Sequence, residues 1–404
     1  MPDFFQHARL PTLHHLADTD LFVREGELAA WTKDRPMALL LPALYAEFQK
    51  PALPRILAEI AAVPYISDLV ISVNRATAKQ IDKARAMCDH LLQERPFTLL
   101  WNDGPALQAV RDEKVKRGLT ACRPGKGSNI WMGLTYLLAL GKHQLVASHD
   151  TDILSYERAM LWRLCYPVAH PGLDYHFAKG YYGRVGGRLY GRVTRLLVFP
   201  LIQAFIETLG RSPLLDFLES FRYPLSGEFS ADLQAIGQFE ISSGWGLEMC
   251  LLCESQERLK HGQVCQVDLG FNFEHRHRKV SNATVPSAVA EGLVDSATEV
   301  ARTLTCHLLE SLKAKNVAAL LAQVTATYPR IAHEWVSRYQ HDALFNGLTY
   351  NAQDEHDAVH VFAEAIDHVL LTENLSCAHE HHLTPAAFVR DHPDLAQQIV
   401  ASAG

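Results

Sequence analysis

The sequence predicts an α/β protein that combines a nucleotide-binding sheet with a C-terminal helical extension. Apolar runs of strand length alternate with amphipathic helical periods up to about residue 155, which is typical of βαβ units around a parallel sheet. One of these runs, LVASHDTDI, ends in Asp150 and Asp152, so that two acids follow a buried strand. From about residue 282 onward the pattern is helical only.

The composition indicates a globular protein, because 48% of the 404 residues are hydrophobic and 21% are charged. A formal charge of -7 gives no reason to expect a nucleic-acid partner. No signal-peptide pattern opens the chain and no apolar stretch has the length of a membrane span, so we expect a cytoplasmic protein. Cys250 and Cys253 form a CxxC inside an apolar helical run, where buried packing is expected rather than a metal or redox site.

The elements before the two acids follow one another at short intervals. The first 36 residues are mixed and predict a helical or irregular leader. MALLLPALYAEF then predicts a strand that ends at Pro42, followed by a helix start that contains Glu47. Further strands are expected in LVISVNR, residues 69–75, and in FTLLWND from Phe97, each after a helix.

A basic glycine segment, Gly125-Lys126-Gly127, precedes the strand that carries the acids. We expect a flexible loop that opens a helix near Ser128. A lysine at a helix N-terminus is well placed to meet a phosphate, although the same tripeptide also occurs in plain turns. The segment is not a Walker A loop, which needs a longer glycine frame and a Ser or Thr after the lysine.

Asp150 and Asp152 are expected at the C-terminal tip of a buried strand. Ligands of open α/β sheets bind in the crevice outside such strand ends. Acids at this position supply the hard oxygen ligands of a divalent cation, which in turn holds a diphosphate. A surface turn capped by an aspartate side chain is the alternative.

Beyond the acids, ERAMLWRLCYPV predicts a helix and DYHFAKGYYGRV a strand. The next segment, GRVGGRLYGRVTRLL, combines glycines with arginines. Glycine lets a loop backbone approach a ligand, and arginine matches carboxylate or phosphate oxygens in bidentate geometry. The segment predicts an anion-binding loop, with a solvated turn region as the alternative. Its arginines are Arg184, Arg188, Arg192 and Arg195.

Three later segments carry further candidate ligands. RYPLSGEFSA predicts a turn that contains Glu228, and Glu248 stands in the first turn of an apolar helix after Gly244-Trp245-Gly246. A carboxylate at that position either faces a partner or a site, or caps the helix. VCQVDLG predicts a strand that leads into the cluster EHRHR, residues 274–278, which offers a metal ligand and phosphate contacts.

The region after residue 282 predicts a long amphipathic helix, SAVAEGLVDSATEVARTLTCHLLESL, followed by further helical periods. We expect this extension to pack on the α/β part or to form a dimer interface. Near the C-terminus, His379, His381 and His382 are expected on a solvated face rather than as metal ligands.

Taken in order, these segments resemble the GT-A fold nucleotide-sugar glycosyltransferases. Among them, the chain is most similar to the retaining family of glucosyl-3-phosphoglycerate and mannosyl-3-phosphoglycerate synthases, over residues 37–281 and less closely over the helical tail. The segments that carry the resemblance are LLLPALYAE, VISVNR, GKGSNIW, ASHDTDI, YYGR, GRVTRLL, YPLSGEF, GWGLEMCLL and LGFNFEHRHR. It implies four parts: a leader (1–36), a donor-binding α/β half (37–155), an acceptor-binding half (156–281) and the helical extension (282–404).

The resemblance implies a donor pocket around the first strands, with Asp152 and His275 as ligands of Mg²⁺ or Mn²⁺. Asn74 stands where family members read the base, although many of them have Asp-Ser in place of Asn74-Arg75. Lys126 is implied near the base or the diphosphate. The implied donor-binding residues are Pro42, Ala43, Leu44, Glu47, Asn74, Lys126, Asp150 and Thr151.

The resemblance also implies an acceptor pocket that holds a phosphate and a carboxylate. Glu248 matches a family carboxylate near the acceptor and the sugar, so that Glu248 and Asp152 are the implied catalytic residues. Relatives often have Tyr at the position of Trp245, and His277 stands at a variable position. The implied acceptor-binding residues are Gly191, Arg192, Thr194, Leu225 and Trp245.

The implied activity is retaining transfer of glucose from UDP- or GDP-glucose to the 2-hydroxyl of 3-phosphoglycerate by a homodimer. Alternatives within the class are mannosyl transfer and an unphosphorylated glycerate acceptor, and Glu248 as a general base would give inversion. A non-catalytic nucleotide-sugar-binding assembly module is the alternative from another class. A sugar nucleotidyltransferase fits less well, because no glycine- and arginine-rich phosphate loop follows the first strand.

Overall fold

The computed structural model describes residue 6 and residues 9–120, 124–270, 287–312, 317–372 and 383–403. In these ranges one eight-stranded mixed sheet forms the centre of the protein, in the order β1-β8-β6-β7-β5-β2-β3-β4. Strand β7 is antiparallel to both of its neighbours, and the other neighbouring pairs are parallel. The predicted α/β class is therefore confirmed. The strands are β1 (Thr12–Leu13), β2 (Met37–Leu44), β3 (Asp68–Asn74), β4 (Phe97–Trp101), β5 (Leu145–Ser148), β6 (Phe177–Tyr181), β7 (Phe229–Asp232) and β8 (Val264–Asp268).

The expectation that the first long strand ends at Pro42 is wrong. β2 continues to Leu44, because it pairs with β3 through Pro42 and beyond, as far as Asn74. Its pairing with β5 on the other side already ends at Leu40. The missing amide hydrogen of Pro42 therefore removes no bond from the β2–β5 ladder, and the strand tolerates the proline.

The segment predicted as a turn around Glu228 contains β7. This strand enters the sheet between β5 and β6 and runs against both of them. Its sequence, FSAD, is short and shows no clear alternation, so the pattern alone did not mark it as a strand. The strand predicted over DYHFAKGYYGRV is also shorter than expected, since β6 covers only its central five residues.

Helices cover both faces of the sheet. Successive β2 residues point to opposite sides, with Leu40 in one apolar core and Leu39 and Leu41 in the other. The leader, predicted as helical or irregular, contains the edge strand β1 and the first helix. The helices before the extension are α1 (Leu21–Trp31), α2 (Ala52–Ile60), α3 (Ala78–Leu92), α4 (Pro105–Lys116), α5 (Lys126–Leu140), α6 (Arg158–Ala169), α7 (Phe199–Leu209), α8 (Pro213–Glu219), α9 (Leu233–Gly237) and α10 (Leu247–Arg258).

The predicted helical extension is confirmed, and it packs on the α/β part. The hydroxyl of Tyr328 donates to the carbonyl of Leu196 at 2.8 Å, and the indole of Trp131 donates to the carbonyl of Leu383 at 2.8 Å. Within the described ranges, no helix has the length and apolar character needed to cross a membrane. The extension consists of α11 (Ser287–Leu312), α12 (Val317–Phe345), α13 (Ala352–Asp367), α14 (Pro385–Asp391) and α15 (Pro393–Ala401).

Candidate active site

The predicted acids lie where the carboxyl ends of β2 and β5 meet. The hydroxyl of Thr151 donates to the carbonyl of Pro42 at 3.3 Å, which ties the loop after β5 to the end of β2. The backbone amide of Asp150 lies 3.4 Å from a carboxylate oxygen of Glu228, just before β7. Three strands therefore hold this loop, at the edge where ligands of α/β sheets bind.

Lys126, the first residue of α5, joins two of the predicted site carboxylates. Its ammonium donates to Glu248 at 2.7 Å and forms an ion pair with Asp150. Burial alone would lower the pKa of Lys126, but the charges of Asp150 and Glu248 outweigh it and hold that pKa well above its ordinary value. Lys126 is therefore a fixed cation between the donor-side and acceptor-side residues predicted from sequence.

The expectation of a flexible loop at Gly125-Lys126-Gly127 is wrong. The helix already begins at Lys126, and both glycines pack tightly against another backbone segment. A Cβ at Gly125 would lie 2.5 Å from the carbonyl oxygen of Ser243, and one at Gly127 only 1.7 Å from that of Ser242. Close approach to the segment before α10, rather than flexibility, explains these glycines and brings Lys126 next to Glu248.

Gly127→Ala is expected to destabilise the protein by about 3 kcal/mol, because its methyl group would collide with backbone rather than with a movable side chain. Urea unfolding measures the change. Gly26→Ala in α1 is the matched control: nothing lies within 4 Å of its Cβ position, so the variant should gain about 0.5–1 kcal/mol from helix propensity. Equal stability of the two variants would contradict the close packing at Gly127.

A second, deeper pair of charges lies beneath the Lys126 group. Lys179 on β6 is fully buried and donates to the carbonyl of Ser226, and Glu228 is 1% exposed. Burial lowers the pKa of Lys179 to about 8, against the opposing effect of Glu248 and Glu228. The sequence analysis did not single out Lys179, although one lysine in the apolar run of β6 was an available signal.

Gly227 lies between this deep pair and the Lys126 group. A Cβ at Gly227 would be 2.3 Å from a carboxylate oxygen of Asp150 and 2.5 Å from the Lys126 ammonium. Only a residue without a side chain leaves room for that ion pair. The segment predicted as a turn is therefore part of the site wall.

His149 is held neutral directly beside the two acids. It is 2% exposed, and its Nδ1 lies 2.9 Å from the carbonyl oxygen of Asp150. Burial lowers the pKa of His149 from 6.5 to about 4, and the Asp150 carbonyl opposes this shift. Between these two values the unfolded chain binds more protons than the folded protein, so the stability that depends on His149 falls as the pH drops from 6.5 towards 4.

The parent protein is expected to lose stability as the pH falls from 6.5 to 4. His149→Asn is expected to reduce that loss by up to about 3 kcal/mol. The amide of asparagine keeps an N–H donor for the Asp150 carbonyl but does not titrate. Urea unfolding across this range compares the variant with the parent protein, which supplies the contribution of all other groups. Parallel curves for the two proteins would refute the assignment.

Amides and one ion pair organise the predicted donor pocket. Asn74 is 1% exposed and donates to the carbonyl of Gly125 at 3.2 Å, so it connects the end of β3 to the start of α5. Pro42 and Ala43 are buried, Leu44 is partly exposed, and Glu47 pairs with Lys50. Arg75, which follows Asn74, has a positive φ of 57°, an uncommon conformation for a side chain of this size.

Asp152 is half-buried on the same loop as Asp150. Burial would lower the pKa of Arg184, but the neighbouring Tyr223, Tyr182 and Asp152 raise it overall. A partly accessible carboxylate at a strand tip is the hard oxygen donor that Mg²⁺ or Mn²⁺ prefers, and the residue fits such an ion. The other predicted ligand, His275, and the neighbouring His277 lie outside the described residues.

The predicted acceptor segment is bound by the helical extension. Arg192 donates to one oxygen of Glu355 at 2.7 Å, and Arg195 donates to the other at 2.9 Å. Gly191 has a φ of 73°, a left-handed conformation that glycine adopts without strain, and it precedes a π-helical turn that contains the buried Thr194. The described ion pairs of Arg192 and Arg195 therefore run to α13, 163 and 160 residues further along the chain.

The remaining acceptor candidates are Trp245, which lies just before α10, and Leu225. Trp245 is 53% exposed, and its backbone amide donates to Glu299 on α11. Leu225 is partly buried beside the Ser226 carbonyl to which Lys179 donates. The structure therefore joins Lys126, Asp150 and Glu248 directly, while the Arg192 segment is held separately by Glu355.

Comparison with known proteins gives whole-chain relatives, although no protein-family model matches. Glucosyl-3-phosphoglycerate synthase of Persephonella marina is 39% identical over 366 residues, which cover 91% of this chain and 89% of the relative. The enzyme of the same name from Methanococcoides burtonii is 30% identical, with 90% and 88% coverage.

A crystal structure of glucosyl-3-phosphoglycerate synthase from Mycobacterium tuberculosis, in complex with Mn²⁺, UDP-glucose and phosphoglyceric acid, has the same fold. It superposes with a TM-score of 0.55 over 77% of this chain and 90% of that one, at 23% identity.

Proposed function

The chain belongs to the glucosyl-3-phosphoglycerate synthase family, and we propose that it transfers glucose from UDP- or GDP-glucose to the 2-hydroxyl of 3-phosphoglycerate with retention. The single observation that carries this proposal is the relationship to named synthases over nine-tenths of the chain. The contacts among Lys126, Asp150 and Glu248 give it a chemical basis, because a fixed cation and two acids meet at the edge where nucleotides bind.

The donor half is proposed to be residues 37–155. Its binding residues are those at the end of β2 together with Asn74, Lys126, Asp150 and Thr151. Asp152 and His275 are proposed to hold Mg²⁺ or Mn²⁺, which when bound neutralises charge on the leaving diphosphate. The Lys126 ammonium also offsets the negative charge of the diphosphate, since its carboxylate partners keep it protonated.

The acceptor half is proposed to be residues 156–281. Arg192, with the backbone of Gly191 and the hydroxyl of Thr194, holds the phosphate and carboxylate of the acceptor, and Leu225 and Trp245 line the pocket. Because Arg192 donates from its Nε to Glu355, one edge of the guanidinium is already fixed before the acceptor binds. Such preorganisation lowers the entropic cost of placing the hydroxyl next to the anomeric carbon.

Glu248 is proposed to accept a hydrogen bond from the sugar or the acceptor, at a position set by Lys126. Retention follows if the acceptor hydroxyl attacks the anomeric carbon from the same face from which the leaving phosphate departs. A phosphate oxygen then takes the proton of the hydroxyl. A general-base role of Glu248 on the opposite face would instead give inversion. The anomeric configuration of the product distinguishes the two.

The test is a grid of donors and acceptors with purified full-length chain and Mg²⁺ or Mn²⁺. UDP-glucose, GDP-glucose and GDP-mannose are combined with 3-phosphoglycerate and glycerate, and NMR identifies the product and its anomeric configuration. An α-glucosyl product on 3-phosphoglycerate is expected. A mannosyl product would replace glucose as the proposed donor sugar, and a product formed on glycerate would replace 3-phosphoglycerate as the proposed acceptor. Tight donor binding without turnover would favour the non-catalytic assembly module.

Homodimer formation and cytoplasmic residence are part of the proposal. At the end of α12, Leu344 is 68% exposed and Phe345 is 90% exposed, which gives apolar surface for a second copy. The six described cysteines are buried thiols, as in a reducing compartment. Light scattering after size exclusion tests the dimer, and fractionation of cells tests the compartment.

A further inference from the structure

Two neighbouring helices carry a group of metal-ligand side chains outside the proposed active site. Glu254 and Glu257 on α10 and His307 on α11 each bring one ligand atom to within 4.8 Å of the other two. Among the described residues, this is the group in which three such atoms meet. The group offers two carboxylate oxygens and one imidazole nitrogen to an ion.

The packing of α10 against α11 explains why the three residues meet. Glu254 and Glu257 are three residues apart, so they share one face of α10. Gly246, just before α10, lets α11 approach closely, because a Cβ there would lie 2.2 Å from the hydroxyl oxygen of Thr303. His307 follows Thr303 by four residues and therefore lies on the same face of α11, towards α10.

Glu254 is a buried carboxylate whose position is fixed by hydrogen bonds. It is 2% exposed, and its Oε2 accepts from the backbone amide of Glu240 at 2.7 Å and from Nε of Arg258 at 2.5 Å. Carboxylates that bind metals are held in this way by donors in the surrounding protein. Both described hydrogen bonds use Oε2, so Oε1 is the oxygen that Glu254 offers to an ion.

The charges around Glu254 favour a cation. Burial would lower the pKa of Arg258, but Glu254, Glu257 and Glu240 raise it overall. Among the described residues, three carboxylates therefore act on this one guanidinium, and negative charge is in excess around it. A buried carboxylate is costly unless its charge is compensated, and a divalent ion supplies the two positive charges that this balance lacks.

The exposure of the three side chains gives an ion access to the group. His307 is 6% exposed, whereas Glu257 is exposed at the surface end of the group. Bonds of about 2.0–2.1 Å place the ligand atoms of a tetrahedral ion about 3.3 Å apart, and rotation of the long Glu257 side chain brings its oxygen to that separation. Three protein ligands leave the fourth position to water.

We propose that Glu254, Glu257 and His307 bind one divalent transition-metal ion, such as Zn²⁺, at a structural site separate from Asp152. The imidazole in the ligand set favours such an ion over Mg²⁺ or Ca²⁺, which prefer oxygen ligands only. The ligands bind as two carboxylates and a neutral imidazole.

The position of the group gives the ion a structural effect. It links α10, which carries Glu248 in its first turn, to α11, whose Glu299 accepts from the backbone amide of Trp245. The ion therefore fixes the two helices that hold the acceptor-side residues around Glu248. Because the ion binds the folded chain selectively, Zn²⁺ is expected to raise the thermal midpoint of the full chain.

The experiment titrates metal-free full-length protein with Zn²⁺ by calorimetry and follows the thermal midpoint with and without Zn²⁺. Glu257→Gln and His307→Gln are each expected to lose one bound equivalent, or to bind it at least about tenfold more weakly, and to lose the rise in the midpoint. Glu94→Gln is the matched control, because Glu94 is an exposed glutamate after α3. A second control replaces the tail histidines by Gln at His379, His381 and His382.

Retention of the equivalent in the Glu94 and tail variants, with its loss in the Glu257 and His307 variants, supports the proposal. A parent protein that binds no Zn²⁺, the same stoichiometry and affinity in every variant, or loss in the tail variant alone overturns it. Because Glu257 is exposed, its variant tests the ligand role even if replacement of the buried His307 impairs folding. Asp152→Asn should leave this equivalent unchanged, since that residue belongs to the other site.

Discussion

Asp152→Asn is expected to lower kcat for glucosyl transfer by about a thousandfold, equivalent to about 4 kcal/mol of lost transition-state stabilisation. The amide keeps the size of the side chain but removes the negative charge that is proposed to hold the divalent ion. Among the described residues, Lys126 and the basic glycine segment would then remain to offset the charge of the leaving diphosphate. Initial rates at saturating donor and acceptor measure the loss.

The control for Asp152→Asn is Asp82→Asn, which removes an equal charge from an exposed position of α3. Calorimetry measures the binding of Mn²⁺ in the presence of UDP. This binding should weaken in the Asp152 variant and stay unchanged in the control. Circular dichroism and urea unfolding should show both variants folded. Wild-type turnover with unchanged metal dependence in Asp152→Asn would remove Asp152 from the proposed mechanism.

The acids of the loop after β5 were predictable because their context is local. A run of four buried residues, three of them apolar, precedes Asp150 and Asp152, and parallel strands place such tips at one edge of the sheet. The same reasoning predicted β2 and α5 but not their boundaries, because β2 continues past Pro42 to Leu44 and α5 begins at Lys126 rather than near Ser128. The pairing of Lys126 with Glu248 joins residues 122 positions apart, and sequence periodicity carries no information on such a contact.

The missed features share a physical cause. β7 is stabilised by neighbours on both sides rather than by its own pattern, so its residues resembled a turn. Lys179 is tolerated in the buried strand β6 because the Ser226 carbonyl and nearby carboxylates compensate its charge. Gly127 was interpreted as a flexible position, whereas its role depends on a carbonyl from residue 242. Each feature depends on a partner distant in sequence.

Glu355→Ala is expected to destabilise the protein by about 3–5 kcal/mol, because it leaves two guanidinium groups without their carboxylate. The side chains of Arg195 and Glu355 are only 10% and 6% exposed, so water does not replace the lost bonds. Arg195 keeps its bond to the Tyr190 carbonyl and its contact with the Tyr339 ring, which hold it in place but do not neutralise it. Urea unfolding measures the loss, with Glu364→Ala at an exposed position of α13 as the control.

Glu355→Gln separates the charge of this residue from its shape. The amide oxygen still accepts from one arginine, so we expect a smaller loss of stability, but the charge-assisted bonds from Arg192 and Arg195 are not both kept, and Arg192 loses its fixed orientation. If Arg192 binds the acceptor, the KM for 3-phosphoglycerate should rise about tenfold while the KM for the donor stays constant, since the described ion pairs of Glu355 run to the acceptor segment. Unchanged KM values for both substrates would make Glu355 a purely structural clamp and would leave the acceptor phosphate to other basic residues.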